Sequence, residues 1–574
     1  MLARIVTTCK ERKWELLLLL MIIAVGIFLR AYNFHDWLLF EIDQSYDTRI
    51  VSGAIEHGVG HLPLLGPTAG GGRALRLGPA FYYMEYASAL IFGNTPAGHA
   101  ALVLIFSILA IPLFYVFIRR YFTLALALAL TTLFSTSVFL ILYGRFSWSP
   151  NVLPFLTILS FYALLRSVSQ AEPRRNTWFL TAAAAIAITS QIHFNAFFTI
   201  PTIAILFLLY KRPTFKLKIW IAALGIVAAV YTPVILSDIS TQGANVNLFL
   251  KKISKTSAAP LGSFQDTLRK AMVDLNYNAS GYFFINSGID RINGKRIQGY
   301  GLQDDANLPW RAVALVLFCA ELALLAYALR KEQDTRRTDF LVLLSLWIVV
   351  PFAYFYSLIS SNFHFYPRFY LLIAPAAIIL FGMLLEKIHP ETSAARRLSL
   401  ALIVLLFLIP NLTRIQSHFL QLATPARNKV NAETEDIFPN DKRLTLKEAL
   451  AVTEYMLARQ QENHYPIYLN TYHEYEPLFW YHLTKRGMSY SDKIDFDSLY
   501  AEGNYFLIQY PTDGTRGIEK AFDIIDEKRF GILTVYTLVP DDGKIRTLRQ
   551  NPENRKQLEQ TLQIQELKTW NDLF

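Results

Sequence analysis

Cysteine and charge are both scarce in this 574-residue chain. The two cysteines, Cys9 and Cys319, lie in a basic N-terminal segment and in the middle of an apolar run, so they cannot pair with each other. The sequence contains no CxxC motif, which excludes a disulfide framework or a cysteine zinc site as the basis of the fold. Charged residues make up 17% of the chain, against roughly 25% in soluble domains. This shortage argues against a soluble protein.

Internal repeats and low-complexity tracts are also missing from the sequence. Many secondary transporters are built from duplicated halves, so the missing repeat weighs mildly against that class. The net charge of +10 could indicate a nucleic-acid partner. However, most of the basic residues lie in turns between apolar runs, which is typical of a membrane topology signal. We therefore expect no nucleic-acid partner.

Apolar residues make up 53% of the chain and come in long runs. A hydrocarbon core about 30 Å thick needs roughly 20 apolar residues per helix, so these runs predict membrane-spanning helices. The first run lacks a small-x-small cleavage site, and we expect it to be an uncleaved span rather than a signal peptide. About eleven spans are predicted, at 15–32, 98–118, 122–142, 151–166, 178–193, 195–210, 218–236, 310–329, 339–358, 368–386 and 398–412.

The segment 79–92 is too short for a clear span, contains Glu85 and is rich in tyrosine. If it lies in the membrane interface, all the basic turns fall on one side, as the positive-inside rule requires. If it crossed, they would all fall outside. We therefore predict an interfacial helix and a cytoplasmic N-terminus. The basic turns are those around 119–120, 166–175, 211–218, 330–337 and 387–397.

This topology leaves two long outer loops, 33–97 and 237–309, and an outer C-terminal region. The predicted fold is an all-α polytopic membrane domain over 1–412, followed by a small α/β domain over 413–574. The loop 237–309 is polar and basic; it could contact anionic lipid headgroups, cover an acceptor, or be a solvated loop. In the C-terminal region, helix-like stretches (445–461, 474–485, 516–526) alternate with strand-like runs (466–470, 505–510, 532–539).

The first outer loop carries acids close to the membrane. Asp43 and Asp47 follow the first span, and the loop then returns twice to the membrane surface. Acids that only cap the helix beginning near 43–47 would not need this return, although capping remains the simple alternative. Asp47 could orient an acceptor, bind a cation or pair with Arg49. The predicted topology puts further polar residues on the same outer surface: Arg145, His193, His364 and Arg368.

Several motifs, in this order, resemble those of the C-type (GT-C) membrane glycosyltransferases, which include protein O-mannosyltransferases and the lipid A aminoarabinose transferase. An acidic loop and an interfacial helix lead into a Tyr-Tyr segment at 79–83, and the turn 143–151 resembles the family's "SR…N/D" turn. Gln191-Ile192-His193 ends the fifth span, and 366–370 resembles an "RY" span entry. The resemblance covers roughly 15–410. It departs at Asp43-Gln44, where many relatives have Asp-Glu.

The resemblance implies an inverting transfer of a sugar from a polyprenyl-phosphate donor to a glycan, lipid or protein acceptor on the extracytoplasmic face. A carboxylate would accept the acceptor's proton, and arginine would stabilise the departing phosphate. Asp43 and Asp47 are accordingly predicted to be catalytic, without deciding which is the base, and Arg145 and Arg368 to bind the donor phosphate. Substrate-binding roles are predicted for Gln44, Asn151, His193, His364 and Tyr366.

Each of these residues also has a simpler interpretation. Arg145 and Arg368 could be interfacial anchors, and the histidines could form hydrogen bonds at helix ends. Trp148 and the other aromatic residues at span ends are assigned to an aromatic belt without a further role. A divalent cation remains an open question, because the spacing of Asp43, Asp47 and His193 matches no known ligand signature.

Two other classes of function compete with the enzyme. A transporter or flippase of lipid-linked sugars should have ionisable residues near the midplane, but Glu321 is the only acid in the middle of a predicted span. We expect Glu321 to have a polar partner on a neighbouring helix. The third class is a non-catalytic membrane scaffold, against which the acidic first loop argues. We expect a prokaryotic plasma membrane, since no retention signal for the endoplasmic reticulum is present.

Overall fold

The computed structural model describes most of the membrane domain and most of the C-terminal domain. The described residues are 2–68, 75–257, 264–289, 308–360, 367–388, 394–424, 444–488, 490–491, 494, 499–515, 517–541, 548–549 and 567–573. His364 and Tyr366, both predicted to bind substrate, lie outside these ranges.

Helices form the N-terminal part of the molecule. They are α1 (Leu2–Ala31), α2 (Ile42–His57), α3 (Ala80–Phe92), α4 (Pro96–Ile118), α5 (Leu124–Thr136), α6 (Val138–Tyr143), α7 (Leu153–Val168), α8 (Arg175–Ile192), α9 (Phe194–Lys211), α10 (Leu217–Ser240), α11 (Ala244–Ser257), α12 (Phe264–Ser287), α13 (Leu308–Lys331), α14 (Thr335–Ser360), α15 (Ala374–Ile388) and α16 (Ala394–Ala423).

Eight helical stretches within the described residues are long and apolar enough to cross a membrane. They lie in α1, α4, α7, α9, α10, α13, α14 and α16. The other three predicted spans are also helical, as α5 with α6, as α8 and as α15, but these helices are shorter or less apolar. The fold prediction of a helical membrane domain followed by a small α/β domain is confirmed.

The predicted span 122–142 is broken at Ser137, which separates α5 from α6. The Ser137 hydroxyl donates to the carbonyl of Ile285 in α12 (2.7 Å), and the Val138 amide donates to Asn411 Oδ1 of α16 (2.8 Å). Neighbouring helices therefore satisfy the backbone and side-chain groups that the break exposes, as a membrane interior requires.

The second outer loop was predicted to be polar, but part of it is an internal helix. The C-terminal half of α12 is buried from Asn278 to Ser287 and packs against α13, α14, α15 and α16. Its apolar stretch is shorter than a membrane span. Its buried polar side chains form hydrogen bonds to backbone carbonyls, as Asn286 does to that of Tyr282 (3.0 Å). The simple solvated-loop alternative is therefore wrong for this segment.

Many of the basic turns meet at one end of the bundle. Arg336 donates to the Arg120 carbonyl (2.8 Å), and Lys211 forms an ion pair with Asp339 (2.7 Å). Arg337 pairs with Glu386 at the end of α15. These contacts join the turns after α4, α9 and α15 to the start of α14, so the turns share one end, as the topology prediction requires.

The C-terminal domain consists of two helices and two small sheets. The elements are α17 (Leu446–Asn463), β1 (Ile467–Asn470), α18 (Glu476–Thr484), β2 (Tyr490–Ser491), β3 (Leu499–Tyr500), β4 (Asn504–Gln509), β5 (Phe522–Phe530), β6 (Leu533–Pro540) and β7 (Leu548–Arg549). The main sheet has the order β2-β1-β4-β6-β5, with β1 parallel to β2 and β4, and the other sheet pairs β3 with β7.

The predicted helix at 516–526 is wrong, because Ile518–Lys520 form a single 3₁₀ turn and strand β5 begins at Phe522. It pairs antiparallel with β6 across a turn at Gly531, which has a φ of 56°. As an edge strand, β5 leaves most of its side chains exposed, so the sequence lacks the apolar alternation that marks a half-buried strand. The predicted domain boundary at 412 also falls inside α16, which continues to Ala423.

The C-terminal domain rests on the first outer loop. The amide of Leu446, at the start of α17, donates to the Leu38 carbonyl (2.8 Å). The Arg49 guanidinium lies 3.5 Å from the centroid of the Trp480 ring in α18, and Phe40 packs against Tyr481. The C-terminal domain thus packs directly on α2 and on the segment before it.

Candidate active site

Helix α2 carries the two predicted catalytic acids. Its first turn is closed by a capping box in which Gln44 Oε1 accepts the Glu41 amide (3.1 Å). Gln44 is buried, so its side chain serves the helix end, and its predicted contact with substrate gains no support. Asp43 and Asp47 are four residues apart and therefore share one face of α2.

Asp43 receives a hydrogen bond from the indole N–H of Trp148 and lies in the electrostatic field of Arg368. Its side chain keeps accessible surface, although protein atoms surround the carboxyl on most sides. The loss of surrounding water raises the pKa of Asp43, while Arg368 and Trp148 act in the opposite direction. An enclosed but reachable carboxylate with a cation beside it is suited to act as a base.

Arg368 enters the site from the turn before α15. Its guanidinium lies over the Trp148 ring, 4.8 Å from the centroid. The 3₁₀ turn Pro367–Leu372 that carries it is anchored in the core, because Leu371 and Leu372 are buried and Trp347 Nε1 donates to the Leu372 carbonyl (2.9 Å). Arg368 lies close enough to Asp43 for its charge to lower the pKa of that carboxyl, and a shared site for the two stays a prediction.

His193 lies between α8 and α9, close to Arg368. Its Nδ1 accepts the amide of Asn195 (3.3 Å), so its proton is on Nε2. Burial, assisted by the charge of Arg368, lowers the pKa of His193 to about 3. The ring lies 5.6 Å from that of Phe369. His193 is therefore a neutral hydrogen-bond donor beside the arginine.

The neighbouring segment Gly78–Ala80 packs directly on α8. Gln191 Oε1 accepts the Ala80 amide (3.3 Å), and a Cβ on Gly78 would lie 2.2 Å from the same oxygen. A side chain at Gly78 would displace the Gln191 side chain. The contact holds the start of α3 against the end of α8, next to His193.

Asp47 is more deeply buried than Asp43 and has different partners. It shares a hydrogen bond with Tyr82 of α3 and lies in the field of Arg76. Burial, and then the nearby charge of Asp43, raise the pKa of Asp47 to about 8. The suggested pairing with Arg49 is not what the structure shows, since the Arg49 guanidinium stacks on Trp480.

Glu85 is a third acid close to this site. It is buried on α3, and its Oε1 accepts the hydroxyl of Ser147, the residue before Trp148. Burial, reinforced by the charge of Asp47, raises the pKa of Glu85 well above its usual value. Burial therefore disfavours the charged form of the Glu85 side chain.

Arg145 follows α6, and its guanidinium caps the C-terminal end of α1. Its Nη1 donates to the carbonyls of Leu29 (3.1 Å) and Arg30 (2.7 Å), and its Nη2 donates to that of Tyr32 (2.8 Å). These groups are carbonyls that a helix end leaves without partners. Among the described contacts, none joins Arg145 to Asp43 or Arg368. Its predicted role in phosphate binding therefore gains no support from the geometry.

Asn151 is likewise occupied by the fold. It is buried, and its Nδ2 donates to the Phe146 carbonyl (2.9 Å), which closes the turn 146–151. Its predicted substrate contact is not supported. Glu321 is buried in α13. The polar partner expected for it on a neighbouring helix stays a prediction.

The described residues offer no candidate site for a divalent cation. Within the described ranges, no group of three or more histidine, cysteine or acidic side chains is arranged to hold a metal ion. Asp47, which could have served as a ligand, bonds to Tyr82 instead.

Sequence reasoning missed three residues of the site. Trp148 had been assigned to the aromatic belt, Tyr82 was only part of a motif, and Glu85 was used only to judge whether 79–92 crosses the membrane. A signal existed for Glu85, because a single acid in an apolar interfacial helix is costly unless it has partners. For Trp148 no such signal exists, because the sequence alone does not distinguish a tryptophan of the site from one that anchors a helix at the membrane interface.

No protein-family model matches this sequence, and no curated protein matches it. Solved structures do. ArnT from Cupriavidus metallidurans in the apo state has a TM-score of 0.49 at 12% identity, covering 92% of this chain and 98% of ArnT. For the same enzyme bound to undecaprenyl phosphate the TM-score is 0.47, at 12% identity and the same coverage.

The archaeal oligosaccharyltransferase AglB from Archaeoglobus fulgidus, in complex with an inhibitory peptide and a dolichol-phosphate, also matches. Its TM-score is 0.49 at 13% identity, covering 82% of this chain and 64% of AglB. ArnT and AglB are GT-C glycosyltransferases, the group that the sequence motifs resemble. Identity at this level says nothing about individual site residues.

Proposed function

We propose that this protein is a membrane glycosyltransferase that moves a sugar from a polyprenyl-phosphate donor to a hydroxyl group of an acceptor. The observation that carries the proposal is the accessible Asp43 carboxylate beside the Arg368 guanidinium. A base and a cation at the end of a bundle of membrane helices suit a reaction whose donor remains anchored in the bilayer.

The transfer is a single displacement. The acceptor oxygen attacks the anomeric carbon, its proton passes to a carboxylate oxygen of Asp43, and the bond from that carbon to the phosphate oxygen breaks. The products are the glycosylated acceptor and polyprenyl phosphate. Attack opposite the leaving phosphate inverts the anomeric configuration.

Asp43 suits the role of base better than Asp47. A base must be ionised and reachable before the reaction. Asp43 keeps accessible surface, and Arg368 and Trp148 favour its charged form. Asp47 is buried, and its pKa of about 8 keeps it protonated at neutral pH. We assign Asp47 to the support of α3 through Tyr82.

Arg368 suits the departing phosphate. Phosphate gathers negative charge as the bond to the sugar breaks, and a guanidinium can donate two hydrogen bonds to it. The stacking of Arg368 on Trp148 fixes the plane of the guanidinium. His193, with a proton on Nε2, adds a neutral donor that does not titrate near pH 7.

The identity of the acceptor follows from chemistry only as far as a hydroxyl group on a glycan, lipid or protein. The proposed location is a prokaryotic plasma membrane, with the site and the C-terminal domain on the extracytoplasmic face. This orientation is supported by the shared end of the basic turns.

Transport or flipping of lipid-linked sugars is the alternative. It requires polar groups along a path through the membrane, whereas the described acids of the site gather at one end and Glu321 is buried in α13. Transfer therefore fits the described residues better.

The test uses purified protein in lipid vesicles with labelled polyprenyl-phosphate sugars. The proposal predicts release of free polyprenyl phosphate and a labelled acceptor or free sugar. A flippase would move the intact donor between leaflets without releasing polyprenyl phosphate, and that result would reject the proposal. Glu321→Gln is the matched control, since it removes an acid in the middle of a span, away from the site, and should leave the release unchanged.

A further inference from the structure

Glu85 occupies the buried face of a helix that has no other acidic residue. The buried positions of α3 include Phe81, Tyr82, Glu85 and Ala89, all on the side that faces α2 and α4. No ion pair joins Glu85 to a basic side chain within the described part of the chain. A buried carboxyl without a cation is costly when ionised, so its presence on this face calls for a specific partner.

That partner is the turn which precedes Trp148. Glu85 Oε1 accepts the hydrogen bond of the Ser147 hydroxyl, and both residues are almost fully buried. Ser147 is the third anchor of this turn. The first is Arg145, bound to the carbonyls at the end of α1, and the second is Asn151, bound to the Phe146 carbonyl.

Trp148 follows the third anchor and makes the two contacts that define the site. Its indole donates to Asp43, and its ring face supports Arg368. A rotation of the turn at Ser147 would therefore displace a donor to the base and a platform for the cation together. The position of Glu85 is coupled to both.

We propose that Glu85 is a positioning residue, which accepts the hydrogen bond of Ser147 and so holds Trp148 against Asp43 and Arg368. The inference rests on the proposed transferase function for its kinetic consequences, but its structural part does not. Glu85 touches no reacting atom. Its charge is not needed for this role, because burial disfavours the ionised form.

The test compares Glu85→Gln, Glu85→Met and Ser147→Ala. Gln keeps an oxygen acceptor and should retain the unaltered rate and pH profile. Met keeps the volume but removes the acceptor, and it should lower kcat by about 10- to 100-fold with the donor KM unchanged, the loss expected from misplaced catalytic groups. Ser147→Ala should have the same effect, and the double variant should be no worse than either single variant.

Ser88→Ala is the matched control. Ser88 is also buried on α3, but its hydroxyl donates to the Gly98 carbonyl at the start of α4 (2.6 Å) and not to the turn. Its loss should reduce thermal stability and leave kcat unchanged. If Ser88→Ala lowers kcat as much as Glu85→Met does, Glu85 is merely structural and the proposal is overturned.

Hydrogen–deuterium exchange of residues 144–149 provides a readout that needs no activity. Glu85→Met should accelerate exchange in this peptide, while Glu85→Gln and Ser88→Ala should not. Unchanged exchange in Glu85→Met would overturn the positioning role even in an active enzyme. Faster exchange in a protein that releases no polyprenyl phosphate would reject only the transferase function. A Glu85→Gln variant without activity would show that the charge is required, which also contradicts the inference.

Discussion

Arg368 lies over the indole ring of Trp148, with 4.8 Å between the guanidinium carbon and the ring centroid. The same indole donates a hydrogen bond to Asp43. One aromatic side chain thus contacts the proposed phosphate ligand and favours the charged form of the proposed base. The following consequences depend on this arrangement.

Trp148→Phe should move the acid limb of the pH–rate profile to higher pH. The indole hydrogen bond lowers the pKa of Asp43, so its loss raises that pKa, and the carboxylate forms only at higher pH. Phenylalanine keeps a ring beneath Arg368. The measurement is kcat against pH.

Trp178→Phe is the control for this change. Trp178 also has an arginine over its ring, Arg166 at 4.8 Å, but this pair lies among the basic turns at the other end of the bundle. The Trp178→Phe substitution should leave the pH–rate profile unchanged. An acid limb that does not move in Trp148→Phe would contradict the hydrogen bond's proposed effect.

Asp47→Asn should retain activity at pH 7, and it should abolish the fall of the rate that we expect above about pH 8 in the unaltered protein. In the unaltered protein, Asp47 ionises around its pKa of about 8, and the new charge raises the pKa of Asp43 and repels an anionic donor. Asparagine cannot ionise, so the rate should stay level above pH 8. Loss of turnover at pH 7 would instead make Asp47 the base.

The same variant should be more resistant to heat at pH 7 than the unaltered protein. An unfolded aspartate has a pKa near 3.9, so between about pH 4 and pH 8 the folded state holds a proton that the unfolded state has released. Folding stability therefore falls as the pH rises through this range, and Asn avoids the loss. Below pH 4 the two proteins should unfold at similar temperatures. Asp523→Asn, on the exposed strand β5, should show no such difference.

Arg368→Gln should weaken binding of polyprenyl phosphate by about 10- to 100-fold, the usual effect of losing a hydrogen bond to a charged group. Arg145→Gln should instead lower the thermal stability, because Arg145 binds the carbonyls at the end of α1. Binding can be measured by fluorescence or calorimetry in detergent. The reverse pattern would restore Arg145 as the phosphate ligand.

Trp480→Leu should loosen helix α2 without changing the C-terminal domain itself. The Arg49 guanidinium lies 3.5 Å from the Trp480 ring centroid, and a cation–π contact of this kind contributes roughly 0.5–2 kcal/mol. Hydrogen exchange of residues 42–48 should accelerate. Lys528→Gln removes a similar contact inside the C-terminal domain, where Lys528 lies 5.3 Å from the Tyr455 ring, and should leave α2 unchanged. Equal exchange in α2 for both variants would contradict a supporting role for the domain.

Much of the architecture could be predicted from sequence, because membrane spans and basic turns are recognised from the composition of whole segments. Contacts between individual side chains could not be predicted in this way. Arg145 has the residue type and the sequence position expected of a phosphate ligand, but its guanidinium forms hydrogen bonds to the carbonyls at the end of α1. Asp43 and Arg368, by contrast, were expected on one surface from the topology, and the charge of Arg368 does act on the Asp43 carboxyl.

Two local elements escaped prediction for physical reasons. Strand β5 is an edge strand whose side chains are mostly exposed, so its sequence carries no alternation. Helix α12 is buried in the membrane domain although its apolar stretch is short, because its polar side chains are satisfied by backbone carbonyls. Both depend on neighbours that are distant in the sequence.

The turnover of Asp43→Asn tests the central claim most directly. The rate of polyprenyl phosphate release and the affinity for polyprenyl phosphate should be measured in the same folded preparations of this variant and the unaltered protein. We predict that release falls by about 10²- to 10⁴-fold, the usual contribution of a general base, while the affinity stays within a few-fold. Release that continues at the unaltered rate would show that Asp43 is not the base.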